Sequence, residues 1–416
     1  MSMGPIIIFD KSTLESLNPD EACWLENFYL TNITPLFFVE TLADLKKKVA
    51  RGRTPEQVVG NLAYKTPPSG KPNVHHRELC IANFLGYPIE MRQVPVLGQG
   101  RTVTTGDQTG VMFENAPEVV ALQRWQEGEF FQIEYLYASS WRQMLSRINF
   151  TTMGQLVEQL ISGKKRLSSL EEAKEIADKL ANGERHRFLC LRIACILLNI
   201  PEYLIPRIIQ RWKADGGPSL REFAEYAAHV FTVDIFFYLA MSANLISNAR
   251  PSHKIDIAYL YYLPFCMVFA SNDKLHKRTV PLFLRSGQVF LDGIELKADL
   301  AKLDAHYSKL PEEIREQGIM QFAIEPPLDG KYLTAKLWDQ FLPKWREIAQ
   351  NRKPSSKEED AMVLAHMKKI TDEAEPLPNY IGDPEEGDFM TLSHMMPIRM
   401  GKWRILPPGV ENQENK

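Results

Sequence analysis

Four acidic residues stand where they could bind one metal ion together. Asp10 and Asp273 each follow a short apolar run typical of a buried strand, whereas Glu40 and Asp256 stand where helices are predicted to begin. In a parallel α/β sheet, ligands gather beyond the carboxyl ends of the strands. All four carboxylates can therefore lie at one edge of such a sheet.

Electrostatic repulsion between four neighbouring carboxylates would favour binding of a cation. Two carboxylates ~4 Å apart repel each other by up to ~4 kcal/mol at an effective dielectric constant of about 20. A group of four would take up protons or move apart unless a cation neutralised it. Oxygen ligands select a hard divalent ion such as Mg²⁺ or Mn²⁺, and such an ion activates water for the hydrolysis of phosphodiesters.

Each acidic residue also has a purely structural interpretation. Aspartate is common at helix N-caps, so Asp256 and Asp273 could serve only to begin the helices that follow them. Asp44 lies four residues after Glu40 and shares its helix face. The ordered set, rather than any single residue, is what favours a metal site.

The stretch from Lys254 to Arg278 is predicted to organise the rest of the chain. It contains a helical run opened by Asp256, then a proline, and then an apolar strand over residues 266–270. The strand ends in the sequence Ser-Asn-Asp at residues 271–273, followed by Lys274. A continuous apolar strand of this length is typical of a buried parallel sheet.

The remaining elements are predicted from periodicity and turn residues. Residues 6–9 form a first strand, residues 32–40 form a short extended segment, and a helix begins at Glu40. The pattern is helical over most of residues 117–248. Residues 280–285 and 288–291 are predicted to form a hairpin-like pair of strands.

Composition excludes several classes of protein. The chain has 416 residues, 44% apolar and 24% charged, as in a soluble globular protein. The five cysteines are scattered without a CxxC pair, which indicates neither a disulfide framework nor a cysteine-rich zinc site. The N-terminus lacks the features of a signal peptide, and the longest apolar run is interrupted by polar residues. We therefore expect a cytoplasmic protein with no membrane segment.

The net charge of -3 means that any binding of nucleic acid must depend on local basic clusters. Candidates are residues 46–53, 164–166, 185–187 and 276–278, although each could simply be a solvated helix end. The adjacent pair His75-His76 lacks both helical i, i+4 spacing and a third ligand, so a dedicated metal site is not expected there.

The ordered set of motifs resembles the PIN-domain nucleases. The matching features are Asp10 after strand one, Glu40 in the segment Thr34-Pro-x-x-x-Glu, Asp256 at a later helix, and Ser271-x-Asp273 after the next strand. The resemblance covers residues 1–55 and 250–295, and about two hundred residues separate Glu40 from Asp256. It implies an α/β fold with a PIN-like core and a parallel sheet.

The resemblance implies a metal-dependent endoribonuclease, often a toxin or a stress and defence effector, acting on single-stranded or structured RNA, with tRNA among the candidates. Asp10, Glu40, Asp256 and Asp273 would hold Mg²⁺ or Mn²⁺. Further contacts to ligands or substrate would come from the residues beside them, Asp44, Ser271, Asn272 and Lys274. An inhibitory or activating protein partner and a homo-oligomer both remain open.

The expected organisation is a discontinuous core. Residues 1–55 and 251–298 would form the PIN-like core, residues 56–250 a mainly helical insertion, and residues 299–416 an α-rich C-terminal extension. Two alternative functions remain. A haloacid-dehalogenase-like phosphohydrolase would use Asp10 as its nucleophile, although Ser12 stands where a second aspartate is usual. A catalytically inactive regulatory protein would use the insertion and extension as partner surfaces.

Overall fold

The structure is a computed structural model of the chain. It describes residues 4–49, 52–67, 71–98, 100–105, 108–113, 117–134, 167–183, 186–247, 252–352, 375–376, 389–392 and 398–406, with the single positions 136, 362, 365 and 408. Side chains are described for most of these residues, but not for 43–44, 46–49, 71–72, 100–105, 108–113, 117–119, 375–376 and 389–392.

The strands and helices have the following bounds. The strands are β1 Ile6–Phe9, β2 Leu30–Ile33, β3 Lys71–Pro72, β4 Gly100–Thr105, β5 Gln108–Phe113, β6 Val268–Ser271, β7 Val289–Asp292, β8 Glu375–Pro376, β9 Phe389–Leu392, β10 Arg399–Met400 and β11 Trp403–Arg404. The helices are α1 Lys11–Ser16, α2 Pro19–Phe28, α3 Pro35–Val49, α4 Pro55–Ala63, α5 His76–Phe84, α6 Pro117–Gln126, α7 Leu170–Asn182, α8 Arg187–Leu197, α9 Ile205–Ala214, α10 Leu220–Phe223, α11 Glu225–Ser242, α12 His253–Ala258, α13 Lys274–Thr279, α14 Gly293–Tyr307, α15 Glu312–Arg315, α16 Ile319–Phe322, α17 Leu333–Phe341 and α18 Trp345–Asn351. Short 3₁₀ segments follow α8, α12 and α13.

A five-stranded parallel sheet lies at the centre of the fold, so the predicted α/β class with a parallel sheet is confirmed. Its strand order is β3-β2-β1-β6-β7, and each neighbouring pair is parallel. Ile7 pairs with Thr31 on one side and with Val268 on the other. The chain therefore adds β2 and β3 on one side of β1 and later adds β6 and β7 on the other side.

Both faces of this sheet are buried. Along β1, Ile6 and Ile8 join one apolar cluster, whereas Ile7 and Phe9 join a second cluster on the opposite face. Helices α5, α7, α8 and α11 contribute to the first cluster, and α2, α14, α17 and the C-terminal Trp403 contribute to the second. Several of these helices lie outside residues 1–55 and 251–298, the predicted core. Because full burial of one large apolar side chain contributes ~1.5–3 kcal/mol, they add to the stability of both layers.

The prediction that Glu40 begins a helix is wrong. Helix α3 begins at Pro35, which places Glu40 in the interior of the helix. Proline is favoured at the first helical position because that position needs no N–H acceptor and its φ already suits a helix. Helix α12 similarly begins at His253, so Asp256 lies in its first turn rather than at its start.

The predicted hairpin after residue 280 is also wrong. Residues Val280–Leu282 form a 3₁₀ turn containing Pro281, and only Val289–Asp292 is a strand. That strand pairs in parallel with β6, because the intervening helix α13 returns the chain to the same end of the sheet. An antiparallel hairpin is formed instead by β4 and β5, which pair from Gly100–Phe113 to Thr105–Gln108.

Helix α11 fastens the middle of the chain to α12 through a buried ion pair. Asp234 on α11 accepts hydrogen bonds from the Lys254 ammonium and the Tyr261 hydroxyl, and Lys254 also donates to that hydroxyl at 2.8 Å. The side chains of Asp234 and Lys254 are 3% and 15% exposed. The charge of Asp234 keeps the pKa of Lys254 raised although burial opposes it.

Within the described ranges, no helix combines the length and apolarity needed to cross a bilayer.

Replacing Asp234 with alanine should destabilise the fold strongly. The change leaves a buried ammonium without its counter-ion, which typically costs ~3–5 kcal/mol. Urea denaturation followed by circular dichroism measures the loss. Asp178→Ala is the matched control, because Asp178 pairs with Lys174 near the surface, where a pair is worth at most ~1 kcal/mol. Equal losses in the two variants would contradict the assignment.

Candidate functional site

The candidate site lies where the order of the sheet reverses. β1 leads to β2 and β3 on one side, whereas β6 and β7 lie on the other. In open α/β sheets the crevice beyond the carboxyl ends of the two strands at this switch point is the usual ligand site. Asp10 follows β1, and Asn272 and Asp273 follow β6.

Asp10 is held rigidly at this point. Its side chain caps helix α1 by accepting hydrogen bonds from the Thr13 amide and hydroxyl at 2.9 and 2.7 Å. The other carboxylate oxygen accepts from the Ser12 hydroxyl at 2.8 Å and the Ser271 hydroxyl at 2.7 Å. The residue is 4% exposed. The last contact joins two parts of the chain that lie 261 residues apart.

His276 on α13 completes this network, and its role was missed from the sequence. Its Nδ1 lies 2.8 Å from the Ser271 hydroxyl oxygen and 3.5 Å from the Asp10 carboxylate, and its Nε2 lies 2.7 Å from the Asp256 carbonyl oxygen. Since the Ser271 hydroxyl donates to Asp10, it accepts from Nδ1–H. The prediction that His276 belongs to a solvent-facing basic cluster is wrong, because its side chain is 1% exposed.

The charges of Asp10 and His276 stabilise each other. Burial alone would raise the pKa of Asp10, but the hydrogen bond and charge of His276 are the main effects that lower it to about 2. Burial alone would lower the pKa of His276, but Asp10 raises it to about 9. Near neutral pH the two groups therefore form a buried ion pair bridged by Ser271.

Glu40 lies near the same group of charges. Its carboxylate accepts a hydrogen bond from the Tyr259 hydroxyl at 2.8 Å and lies 3.9 Å from the Lys11 ammonium. Burial, together with the negative charges of Asp10 and Asp256, raises the pKa of Glu40 to about 7. The opposing effects of Lys11 and Tyr259 do not cancel that rise.

Asp10, Glu40 and Asp256 are therefore brought together from three separate elements. Asp256 is held through its backbone carbonyl, which lies 2.7 Å from His276 Nε2, and its charge contributes to the raised pKa values of Glu40 and His276. Asp273 is linked to the group through its backbone, since its amide donates to the Ser271 hydroxyl at 2.9 Å. Its carboxylate caps α13 through the Leu275 amide at 2.6 Å, so the capping interpretation is confirmed for Asp273. It is wrong for Asp256, because Ser252 is the N-cap of α12.

Two further residues, Asn272 and Gly293, lie against this site. The Asn272 side-chain oxygen is buried and has no hydrogen-bond partner among the described residues. A Cβ atom at Gly293, the first residue of α14, would lie 2.6 Å from that oxygen and 2.8 Å from the Thr13 hydroxyl oxygen. A side chain at position 293 would therefore displace the side chain of Asn272 or Thr13.

The basic residues differ in their accessibility. Lys274 and Arg278 are exposed at the surface of α13, whereas Lys277 pairs with Asp292. The Asp44 side chain and the basic side chains of residues 46–51, 164–166 and 185 lie outside the described residues. His75 and His76 stack on each other, and His76 packs against Tyr261 rather than joining the acidic group.

The donor set suits a hard cation in its chemistry, although it is not preformed. Every candidate donor is a carboxylate oxygen, which suits Mg²⁺ or Mn²⁺. The raised pKa of Glu40 also shows that burial and neighbouring negative charge outweigh Lys11 there. Across the part of the chain that the structure describes, however, no three His, Cys, Asp or Glu side chains are already spaced to hold a metal.

The free energy of unfolding should fall as pH rises from 6.5 to 9. The pKa of His276 is raised from 6.5 to about 9, so its contribution is complete below 6.5 and is lost as pH rises through 9. Glu40, with its pKa raised from 4.5 to about 7, adds a loss between those two values. Asp10 acts oppositely, since its contribution is lost only as pH falls from 3.8 to about 2.

Urea titrations in the presence of EDTA measure this dependence. His276→Gln should flatten the curve between pH 6.5 and 9, and Glu40→Gln should flatten it between pH 4.5 and 7. A wild-type curve that is level from 6.5 to 9 would contradict the buried ion pair.

Comparison with known proteins does not assign this chain to a family. Neither the scan against protein-family models, nor the search of curated proteins, nor the search of solved structures found a match for this chain.

Proposed function

We propose that the protein is a divalent-metal-dependent endoribonuclease with a PIN-like core. The observation that carries the proposal is that Lys11, Tyr259 and His276 link the segments bearing Asp10, Glu40 and Asp256 beside the switch point between β1 and β6. Three acidic segments are thus held at the crevice where α/β sheets bind ligands. Burial of so much negative charge is costly unless a cation compensates it.

Asp10, Glu40, Asp256 and Asp273 would hold Mg²⁺ or Mn²⁺. The chemistry supplied by such an ion is stabilisation of the phosphodiester charge and acidification of a water molecule. The hydroxyl groups of Ser12 and Ser271 can rotate, so Asp10 can exchange a hydrogen bond for a cation without moving its backbone. Tyr259 and Lys11 would orient Glu40 through the contacts they already make.

RNA is the proposed substrate because the acidic site is flanked by exposed cations. Lys274 directly follows Asp273, and Arg278 lies one turn further along the same short helix. Cations beside an acidic site can hold the phosphate groups on either side of the bond that is cut. Cleavage should therefore weaken as the salt concentration rises.

The central test is Mn²⁺-dependent cleavage of RNA and its loss in Asp273→Asn. Asparagine caps helices as well as aspartate does, so the hydrogen bond to the Leu275 amide is retained while the negative charge is removed. We expect the rate to fall on the order of 100-fold or more, with little change in the thermal midpoint. Total RNA incubated with Mn²⁺ or with EDTA gives the measurement.

Asp292→Asn is the matched control. Asp292 caps α14 at the end of the adjacent strand β7, as Asp273 caps α13 at the end of β6. Its carboxylate pairs with Lys277, so its removal should leave cleavage within about twofold, as for a residue outside the site. Full activity in Asp273→Asn would remove that residue from the site. Phosphate release from small phosphomonoesters without RNA cleavage would instead support the phosphohydrolase alternative.

A further inference from the structure

His276 connects two sides of the candidate site that the chain itself leaves unconnected. Asp10 follows β1, whereas Asp256 belongs to α12, which lies much later in the sequence. Through Nδ1 the imidazole reaches Ser271 and, beyond it, Asp10, and through Nε2 it reaches the Asp256 backbone carbonyl. One buried ring therefore contacts both acidic segments.

Helix α12 is short and is held by contacts with other elements. It has only six residues, and no side chain caps its N-terminus. Besides its buried apolar residues, its contacts include the Lys254 ion pair with Asp234 and the His276 hydrogen bond to the Asp256 carbonyl. The second contact acts on the residue whose carboxylate belongs to the candidate site.

We propose that His276 is a positioning residue that sets the separation between the Asp10 and Asp256 carboxylates. This inference rests on the proposed metal-dependent function. Hydrogen bonds that orient metal ligands typically change metal affinity or activity by ~10–100-fold when they are removed. His276 acts through Ser271 and the Asp256 backbone, and it has no role as a metal ligand.

The chain offers a closely matched control in His229. Its ring is also buried, and its Nε2 donates to the Leu260 carbonyl at 2.9 Å. Both histidines thus bind a backbone carbonyl within residues 253–265. Only His276 also reaches Ser271 and Asp10, so His229→Leu removes a comparable structural hydrogen bond without touching the acidic group.

The experiment compares wild type, His276→Leu, His276→Gln and His229→Leu. Calorimetric titration of metal-free protein with MnCl₂ measures affinity, and RNA cleavage gives kcat and KM. We expect His276→Leu to bind Mn²⁺ ~10–100-fold more weakly and to lose kcat while KM for RNA stays within about twofold. Circular dichroism confirms that each variant is folded.

His276→Gln should show an intermediate affinity, because its amide can still donate to one of the two acceptors. His229→Leu should lower the thermal midpoint while leaving Mn²⁺ affinity unchanged. That difference distinguishes positioning from a general loss of stability. A crystal structure of His276→Gln should show Asp256 displaced from Asp10, and this readout requires neither metal nor RNA.

Several outcomes would overturn the inference. Wild-type Mn²⁺ affinity in His276→Leu would do so, as would parallel losses of affinity and stability in His276→Leu and His229→Leu. Mn²⁺ binding by wild type without RNA cleavage would refute the nuclease proposal alone, and the affinity comparison would still decide the role of His276. No Mn²⁺ binding by wild type, together with an undisplaced Asp256, would refute both proposals.

Discussion

The hydrogen bond from Ser271 to Asp10 is the contact on which the rest of the site depends. It joins the ends of β1 and β6 where the strand order reverses, and it does so in a fully buried position. A carboxylate in such a place is stable only when donors and a positive charge surround it. Thr13, Ser12 and His276 supply these, so the Asp10 charge is retained within the core.

Around this contact the protein combines one acid whose charge is well compensated with a second acid whose charge is compensated less. Asp10 keeps its charge because His276 lies beside it, and its pKa falls to about 2. Glu40 accepts a hydrogen bond from Tyr259 and lies farther from the Lys11 ammonium, and its pKa rises to about 7. Strongly shifted pKa values such as these are concentrated at functional sites.

The helical segments do more than surround the sheet. Helix α11 lies over one face of the sheet and holds α12 through the Asp234–Lys254 pair, and α14 packs on the opposite face, where its first residue contacts Asn272. The position of Asp256 therefore depends on packing from a segment that is distant from Asp10 in the sequence. A substitution that weakens the packing of α11 should therefore also change the position of Asp256.

The sequence alone determined the strands β1 and β6, the cap at Asp273 and the identity of the acidic residues, because short apolar runs ending in aspartate are local signals. It misplaced the start of α3, where proline rather than Glu40 opens the helix, and it predicted β7 as half of a hairpin rather than as a parallel strand beside β6. Only tertiary structure showed that His276 faces inward, because its partners Asp10 and Asp256 lie far away along the chain. Local patterns specify elements, whereas burial of charge depends on which elements meet.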